Sequence, residues 1–395
     1  MVKVVQEQWD LQRIFWRENQ QDDLKEYWLT VVTYGMTSSA YNAVRALIQC
    51  AREAEQEFPN AAKAIMEDFY MDDCTTGADS EEQAIELSKD INHVLRGAGF
   101  ELRKWKSNSR ALVKDMNYEE QESILFEDDE KASILGLKWL LEKDQFTFVV
   151  KTPAIEQAMT KRSVVSSVAQ LYDPNGFIAP VTIIGKIIIQ DIWRLNVGWD
   201  ETLPREIYER WREFWQEITF LENVRIQRWI GTSKEIHQEL HGFSDASERA
   251  YGAAIYVRTI CANGRISASL LTAKTRVAPL KTVTIPRLEL AAAELLGRLV
   301  ASVIKTMEWA GVEYELWSDS LVALHWINKL PYNLKTFVAN RVASIQTNTE
   351  VKRWRHVRTQ DNPADLLSRG IKPSALVNNN LWLHGPEWLT KPRWS

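Results

Sequence analysis

Apolar positions recur at helical spacing from Ser38 to Glu57, and again from Glu81 to Leu95 after an Asp79-Ser80 start signal. Two amphipathic helices are therefore predicted. Between them, Ile65 to Ala78 reads as a strand pair with an acidic turn, and Gly97-Ala98-Gly99 stops the second helix. GFELRKWKSNSR follows as a strand-like segment with four basic residues against one acidic. From Asp115 to Glu130 there are eight acidic residues and no basic one, which marks a solvated loop or linker and a boundary. ILGLKWLLEKDQFTFVV then predicts a strand pair turning at Lys143-Asp144. TKRSVVSSVAQLYDPNGFIAPVTIIGKIIIQDIW reads as helical, broken at Asp173-Pro174-Asn175-Gly176. The Trp and Phe spacing of IYERWREFWQEI fits another amphipathic helix, so the middle of the chain looks like mostly helical scaffolding.

From Leu240 the pattern changes to strands: LHGFSDAS, YGAAIYVRT and ISASLLTAKTRVA. A helix begins near Pro286, a residue suited to a first helical position, and carries Leu288, Ala292, Leu295 and Leu299 on one side. A strand YELWSD, a helix from Ser320 to Lys329, a helix through Phe337 to Ile345, a strand VKRWRHV and a short helix at PADLLSR complete the series. The order β-β-β-α-β-α-α-β-α implies a mixed sheet, an antiparallel meander first and crossover helices afterwards.

Length and composition narrow the classes. A chain of 395 residues that is 45% hydrophobic and 26% charged folds, as two or three domains. Its 48 Lys and Arg against 53 Asp and Glu leave a formal charge of -5, which excludes a uniformly basic nucleic-acid coat and restricts such contacts to local patches. Cys50, Cys74 and Cys261 are too few and too scattered for a four-cysteine zinc site or a disulfide framework, and suit a reducing compartment. The most apolar stretch, Ile178 to Trp193, is broken by Pro180, Lys186 and Asp191, and no cleavable apolar signal follows Met1. No membrane segment, export signal or other readable address is visible. The 17 tryptophans have no fixed period, which argues against a simple repeat protein.

Candidate chemistry concentrates in the last third. Asp245 lies in the first strand of that region, Asp319 at the end of the fourth, Glu289 in the first helix and Asp365 just inside the last. Placing the first and fourth strands side by side lets all four acids face one point. Converging carboxylates repel one another unless cations neutralise them. Two hard ions such as Mg²⁺ or Mn²⁺, about 4 Å apart, would relieve that cost and clamp both oxygens of a phosphodiester displacement. Spacing alone also fits carboxylates scattered over strand and helix ends. His356 ends a strand beside Lys352, Arg353, Arg355 and Arg358. A histidine at the rim of a metal site could move a proton to a leaving 3′ oxygen, and the basic residues could contact a phosphate chain; an ordinary basic surface strand is the competing reading.

The series LHGFSDAS, TIPRLELAA, LWSDS and HVRTQDNPADLLSR resembles the ribonuclease H domain in polyproteins of long-terminal-repeat retroelements, most closely the Bel/Pao group. The resemblance implies that Asp245, Glu289, Asp319 and Asp365 are its acidic tetrad and His356 its mobile catalytic histidine. KRSVVSSVAQLYDPNGFIAPVTIIGKIIIQDIW is also typical of that group. FYMDDCTT, with Asp72 and Asp73 at a predicted hairpin tip, resembles the YxDD hairpin of reverse transcriptases. YWLTVVTYGMTSSAYNAVRAL resembles their template- and nucleotide-positioning segment, with Gly35 and Ser38-Ser39 in the corresponding region. GFELRKWKSNS and ILGLKWLL are similar to the elements that finish the palm and grip the primer, which implies nucleic-acid contacts at Lys104, Lys106 and Arg110.

Palm polymerases need a further aspartate on a neighbouring strand to bridge both metals. In the family it precedes the segment matched here by MVKVV, and Asp10, Asp22 and Asp23 follow that segment instead. The expected organisation is α/β and α+β: a partial reverse-transcriptase palm (1–113), a mostly helical thumb or connection (114–235), a ribonuclease H-like mixed five-stranded sheet with flanking helices (236–372), and a tail (373–395) resembling the lead-in to an integrase. The expected function is metal-dependent hydrolysis of the RNA strand of RNA-DNA hybrids, with DNA synthesis incomplete in this chain. The expected partners are a hybrid or primer-template and the remaining polyprotein domains, with no membrane; a cytoplasmic retroelement particle is the setting the resemblance implies, and the sequence assigns no oligomeric partner. The alternatives are a noncatalytic nucleic-acid-binding module and a structural remnant.

Overall fold

The computed structural model describes residues 2–116, 131–134, 137–150, 159–231 and 236–392. The chain divides into two compact units, Met1–Glu127 and Asp128–Ser395. Most of the acidic run from Asp115 to Glu130 lies outside the described residues.

In the first unit, β1 (Arg13–Trp16) and β2 (Lys25–Trp28) pair antiparallel, Arg13 opposite Trp28. Helices α1 (Ser39–Ala54) and α2 (Pro59–Glu67) follow, the latter opened by proline at its first position. Ala51, Ala61, Ala62 and Ala64 are small enough to let these helices pack closely around Leu47 and Ile65. This alanine-rich run keeps Ile65 to Glu67 helical, so the expected strand pair shrinks to β3 (Phe69–Tyr70) and β4 (Asp73–Cys74). Tyr70 pairs with Asp73 across a two-residue turn whose Met71 takes a φ of 58°. Ser80 caps α3 (Glu81–Gly97), its Oγ accepting from the Gln83 amide at 3.2 Å, and Ile91 and Leu95 close the core. GFELRKWKSNSR is not a strand: it is irregular until α4 (Arg110–Met116), and Phe100 and Leu102 pack on the helical core without a neighbouring strand to pair with.

The second unit opens with a sheet ordered β5 (Lys131–Ile134), β6 (Leu137–Leu140), β7 (Gln145–Thr147) and β8 (Ile226–Gln227). The expected turn at Lys143-Asp144 joins β6 to β7. Thr160 and Ser163 form a reciprocal capping box on α5 (Lys161–Ala169). The break before α6 (Ala179–Arg194) is a built clip. The Asp173 carboxylate accepts from the Phe177 and Ile178 amides at 2.8 and 2.9 Å, and the Asn175 carbonyl accepts from the Ala273 amide at 2.8 Å. Gly176 has a φ of +77°, and a Cβ there would lie 1.9 Å from the Ala273 oxygen. Only glycine combines that backbone with that approach. Burial pushes the Asp173 carboxyl up to about 6 against the pull of those amides. In α7 (Arg205–Gln216), Trp211, Phe214 and Trp215 are buried, the two indoles stacking at 4.9 Å.

The main sheet has five strands in the order β11 (Ile266–Val277), β10 (Ala250–Ile260), β9 (His237–Ala246), β12 (Glu313–Ser318) and β13 (Trp354–His356). The first three form an antiparallel meander, whereas β12 runs parallel to β9 and β13 parallel to β12. This is the expected mixed topology. Lys352 and Arg353 form a short helical turn rather than extending β13.

One face of the sheet buries Leu240, Ile255 and Val257 against α8 (Ile285–Thr306), α9 (Leu321–Ile327) and α10 (Thr336–Asn348). Phe243, Ala254 and Tyr256 lie in a second core with residues of α6, of α11 (Asp365–Arg369), and of two short C-terminal helices, α12 (Pro373–Leu376) and α13 (Asn380–His384). Trp382 is fully buried, donates from Nε1 to the Phe177 carbonyl at 2.7 Å, and its carbonyl accepts from Tyr256 Oη at 2.7 Å. Among the described residues, no helix is long and apolar enough to cross a membrane.

Candidate active site

Parallel pairing of β9 with β12 sets Ser244 opposite Ser318. Asp245 and Asp319 each follow that pair, so two carboxylates leave adjacent strand ends together. The proline-started α8 brings Glu289, in its second turn, to the same end. Asp245, Glu289 and Asp319 each offer an oxygen within 4.8 Å of the others. Asp245 and Glu289 are buried and Asp319 is half-buried. Glu289 Oε2 is buried and has no hydrogen-bond partner.

The polar surroundings hold two of the four acids in place. Thr359 Oγ1 donates to Asp319 Oδ2 at 2.8 Å, and Ser368 Oγ donates to Asp245 Oδ2. Fully buried Asn362 donates from Nδ2 to the Ser244 carbonyl at 3.1 Å while its Oδ1 accepts from the Ala364 amide, which seats the turn before α11 against the end of β9. Asp365 starts α11 and accepts from Arg369 Nε at 2.6 Å. Burial first, then the charges of Asp319 and Asp365, push the Asp245 carboxyl up to about 7 against the Ser368 hydroxyl. Burial and the charges of Asp245 and Asp319 push Glu289 further, to about 9.

Such a cluster is a poor structural device and a good cation site. Its oxygens are close, two of its members resist ionisation, and one buried lone pair is left over. These residues fit hard divalent ions, which take carboxylate oxygens. Sequence reasoning missed Thr359, Asn362 and Ser368. All lie in TQDNPADLLSR, and their only signal was the density of hydroxyl and amide groups around Asp365.

The remaining candidates are distributed differently. His356 is exposed at the end of β13, opposite Ser318 and therefore one residue from Asp319 in register. Lys352 pairs with Glu350 at 2.8 Å, and Arg353 and Arg355 share Glu315 at 3.7 and 3.5 Å. Arg358 is exposed and adjoins Thr359. In the first unit, Asp72 and Asp73 are exposed at the β3–β4 turn, and neither joins a group of three ligating side chains among the described residues. Lys104, Lys106 and Arg110 are exposed as well. A second grouping, His237, Glu239 and Glu313, has no local pattern that announces it. There Glu239 is already bound to buried Arg258 at 3.0 Å, and Arg258 also donates to the Leu389 carbonyl at 2.8 Å, so this grouping fastens the C-terminal segment to the sheet.

Residues 160–320 match the model of the Pao retrotransposon-like RNaseH-like domain family. The matched Pao segment starts at α5 and includes Asp245, Glu289 and Asp319. No curated protein matches the sequence.

Among solved structures, the chain is similar to RNase H1 from the archaeon Halobacterium salinarum, with 14% identity over 33% of this chain and 93% of that one, at a TM-score of 0.22. An N-terminal RNase H domain from Mycobacterium tuberculosis matches with 11% identity over 33% of this chain and 91% of that one, at 0.23. The prototype foamy virus protease-reverse transcriptase matches with 14% identity at 0.23, over 94% of this chain but only 43% of that one.

Proposed function

We propose that the Asp128–Ser395 unit hydrolyses the RNA strand of RNA-DNA hybrids with two divalent ions, Mg²⁺ or Mn²⁺, held by Asp245, Glu289, Asp319 and Asp365. The observation that carries this reading is the buried, unpartnered Glu289 oxygen in a group whose Asp245 and Asp319 oxygens lie within 4.8 Å. Divalent ions bound there supply the charge compensation and Lewis acidity that phosphodiester hydrolysis requires.

The protein's own groups do the rest. Ser368 and Thr359 orient two of the carboxylates, and the buried sides of Asp245 and Glu289 exclude bulk water behind the reacting phosphate. His356, exposed at the rim, holds the proton destined for the leaving 3′ oxygen. Arg358 contacts the flanking phosphates, while Arg353 and Arg355 reach them only by leaving Glu315. In the first unit, Lys104, Lys106 and Arg110 contact primer-template. Asp72 and Asp73 sit at the turn of a hairpin that resembles the YxDD hairpin, and no third ligating side chain joins them among the described residues. The remaining domains of a retroelement polyprotein are this chain's partners.

The test is a labelled RNA-DNA hybrid incubated with the full chain and Mg²⁺ or Mn²⁺, beside Asp245→Asn. Cleavage by the wild type that falls at least about 100-fold in the variant is the expected result. A folded wild type that binds the hybrid with steep salt dependence and never cuts it would establish the noncatalytic binding module instead.

A further inference from the structure

Ser368 lies one turn beyond Asp365 on α11, and none of its surface is exposed. Both its polar groups reach the end of β9. The hydroxyl donates to Asp245 Oδ2, with the Asp365 carbonyl 3.1 Å away, and the Ser368 carbonyl accepts from Ser247 Oγ at 2.7 Å. One residue thus bridges the strand bearing the first acid and the helix bearing the fourth.

Resting on the nuclease reading, we propose that Ser368 is a positioning residue for the metal centre, fixing the rotation of the Asp245 carboxylate and its placement against Asp365. A carboxylate on a strand end turns freely about its last bond unless an oxygen is engaged. With Oδ2 engaged, turning breaks a buried hydrogen bond and leaves the Ser368 hydroxyl without that acceptor. Asp245 is buried and Ser368 is fully buried, so bulk solvent does not reach this hydrogen bond. Oδ2 is thereby held on the Ser368 side, while Asp245 offers an oxygen within 4.8 Å of oxygens of Glu289 and Asp319. Removing the hydroxyl leaves the helix in place, since Ser247 still binds the Ser368 carbonyl. The two roles, aiming a ligand and anchoring a helix, are carried by different atoms and can be separated by mutation.

The experiment titrates Mg²⁺, then Mn²⁺, into the full chain without nucleic acid, followed by calorimetry, with thermal unfolding in chelator measured alongside. Ser368→Ala is expected to bind Mg²⁺ about 10-fold more weakly than the wild type, the usual loss when a partner behind a metal ligand is removed. Ser368→Thr, which keeps the hydroxyl, should bind within about 3-fold of the wild type. Ser247→Ala cuts the helix anchor and should lower the melting temperature while leaving Mg²⁺ affinity within about 2-fold. Equal affinity in Ser368→Ala and the wild type, or a loss in Ser247→Ala as large as in Ser368→Ala, overturns the positioning role. A folded wild type that takes up neither ion overturns the nuclease reading, and the positioning role with it.

Discussion

Glu289→Gln should stabilise the metal-free protein while abolishing its response to metal. Glu289 is 7% exposed, and burial beside Asp245 and Asp319 raises its carboxyl from 4.5 to about 9. Below pH 4.5 the folded and unfolded chains both keep that proton; between 4.5 and about 9 the unfolded chain releases it and the folded one does not. Stability therefore falls as pH rises through this window, by about 1.4 kcal/mol per pH unit, and the full penalty remains above it. At pH 8 the upper bound is about 5 kcal/mol, and side-chain relaxation and water entry reduce what is felt. Glutamine fills the same volume, can accept the Ala246 amide bond and can donate to Asp245 or Asp319, so a gain of about 2 kcal/mol at pH 8 is expected. For a unit of this size that is about 4–8 °C in melting temperature. The assay is thermal unfolding of both proteins in chelator at pH 5 and pH 8, repeated with Mg²⁺. The advantage of the variant should shrink at pH 5, and only the wild type should gain with Mg²⁺. A variant no more stable than the wild type at pH 8, or an advantage independent of pH, would refute the electrostatic reasoning.

Three further substitutions test the frame that holds the site. Trp382→Ala empties a fully buried position and leaves the Phe177 carbonyl without its donor, at an expected cost of about 4 kcal/mol in urea unfolding; a loss below about 1 kcal/mol would mean the C-terminal segment is not part of the core. Gly176→Ala places a Cβ 1.9 Å from the Ala273 oxygen at a φ of +77°, whereas Gly264→Ala meets nothing within 4 Å at a φ of +80°. The first should cost at least about 3 kcal/mol and the second about 1, and equal costs would show that the clip to β11 gives way.

Element type was legible wherever burial is one-sided. The helices around Leu47 and Leu95 and the amphipathic α7 follow the periodicities of their apolar residues. It was least legible where the backbone answers to a neighbour. GFELRKWKSNSR reads as strand-like, but among the described residues no strand pairs with it, and an unpaired edge does not hold an extended segment. Ile65 and Met66 carry apolar side chains that either element could bury, and packing against the neighbouring helices decided for the helix. The basic cluster after Thr349 read as a free phosphate contact, yet Arg353 and Arg355 share Glu315, a residue from another strand whose proximity no local pattern could announce.

The amino-acid sequence by itself determined the order of elements from β9 onward, and with it the fact that Asp245 and Asp319 lie at strand ends while Glu289 and Asp365 lie in the early turns of helices. Those are local properties, set by turn residues, a first-position proline and the alternation of apolar side chains. Tertiary structure alone decided what the acids become. Parallel pairing of β9 and β12 aligned two strand ends, α8 buried a third carboxylate beside them with one oxygen unpartnered, and α11 supplied the Ser368 hydroxyl that holds the first. Charge density, desolvation and hydrogen-bond direction depend on distances between residues far apart in the chain, and those distances exist only once the sheet has closed.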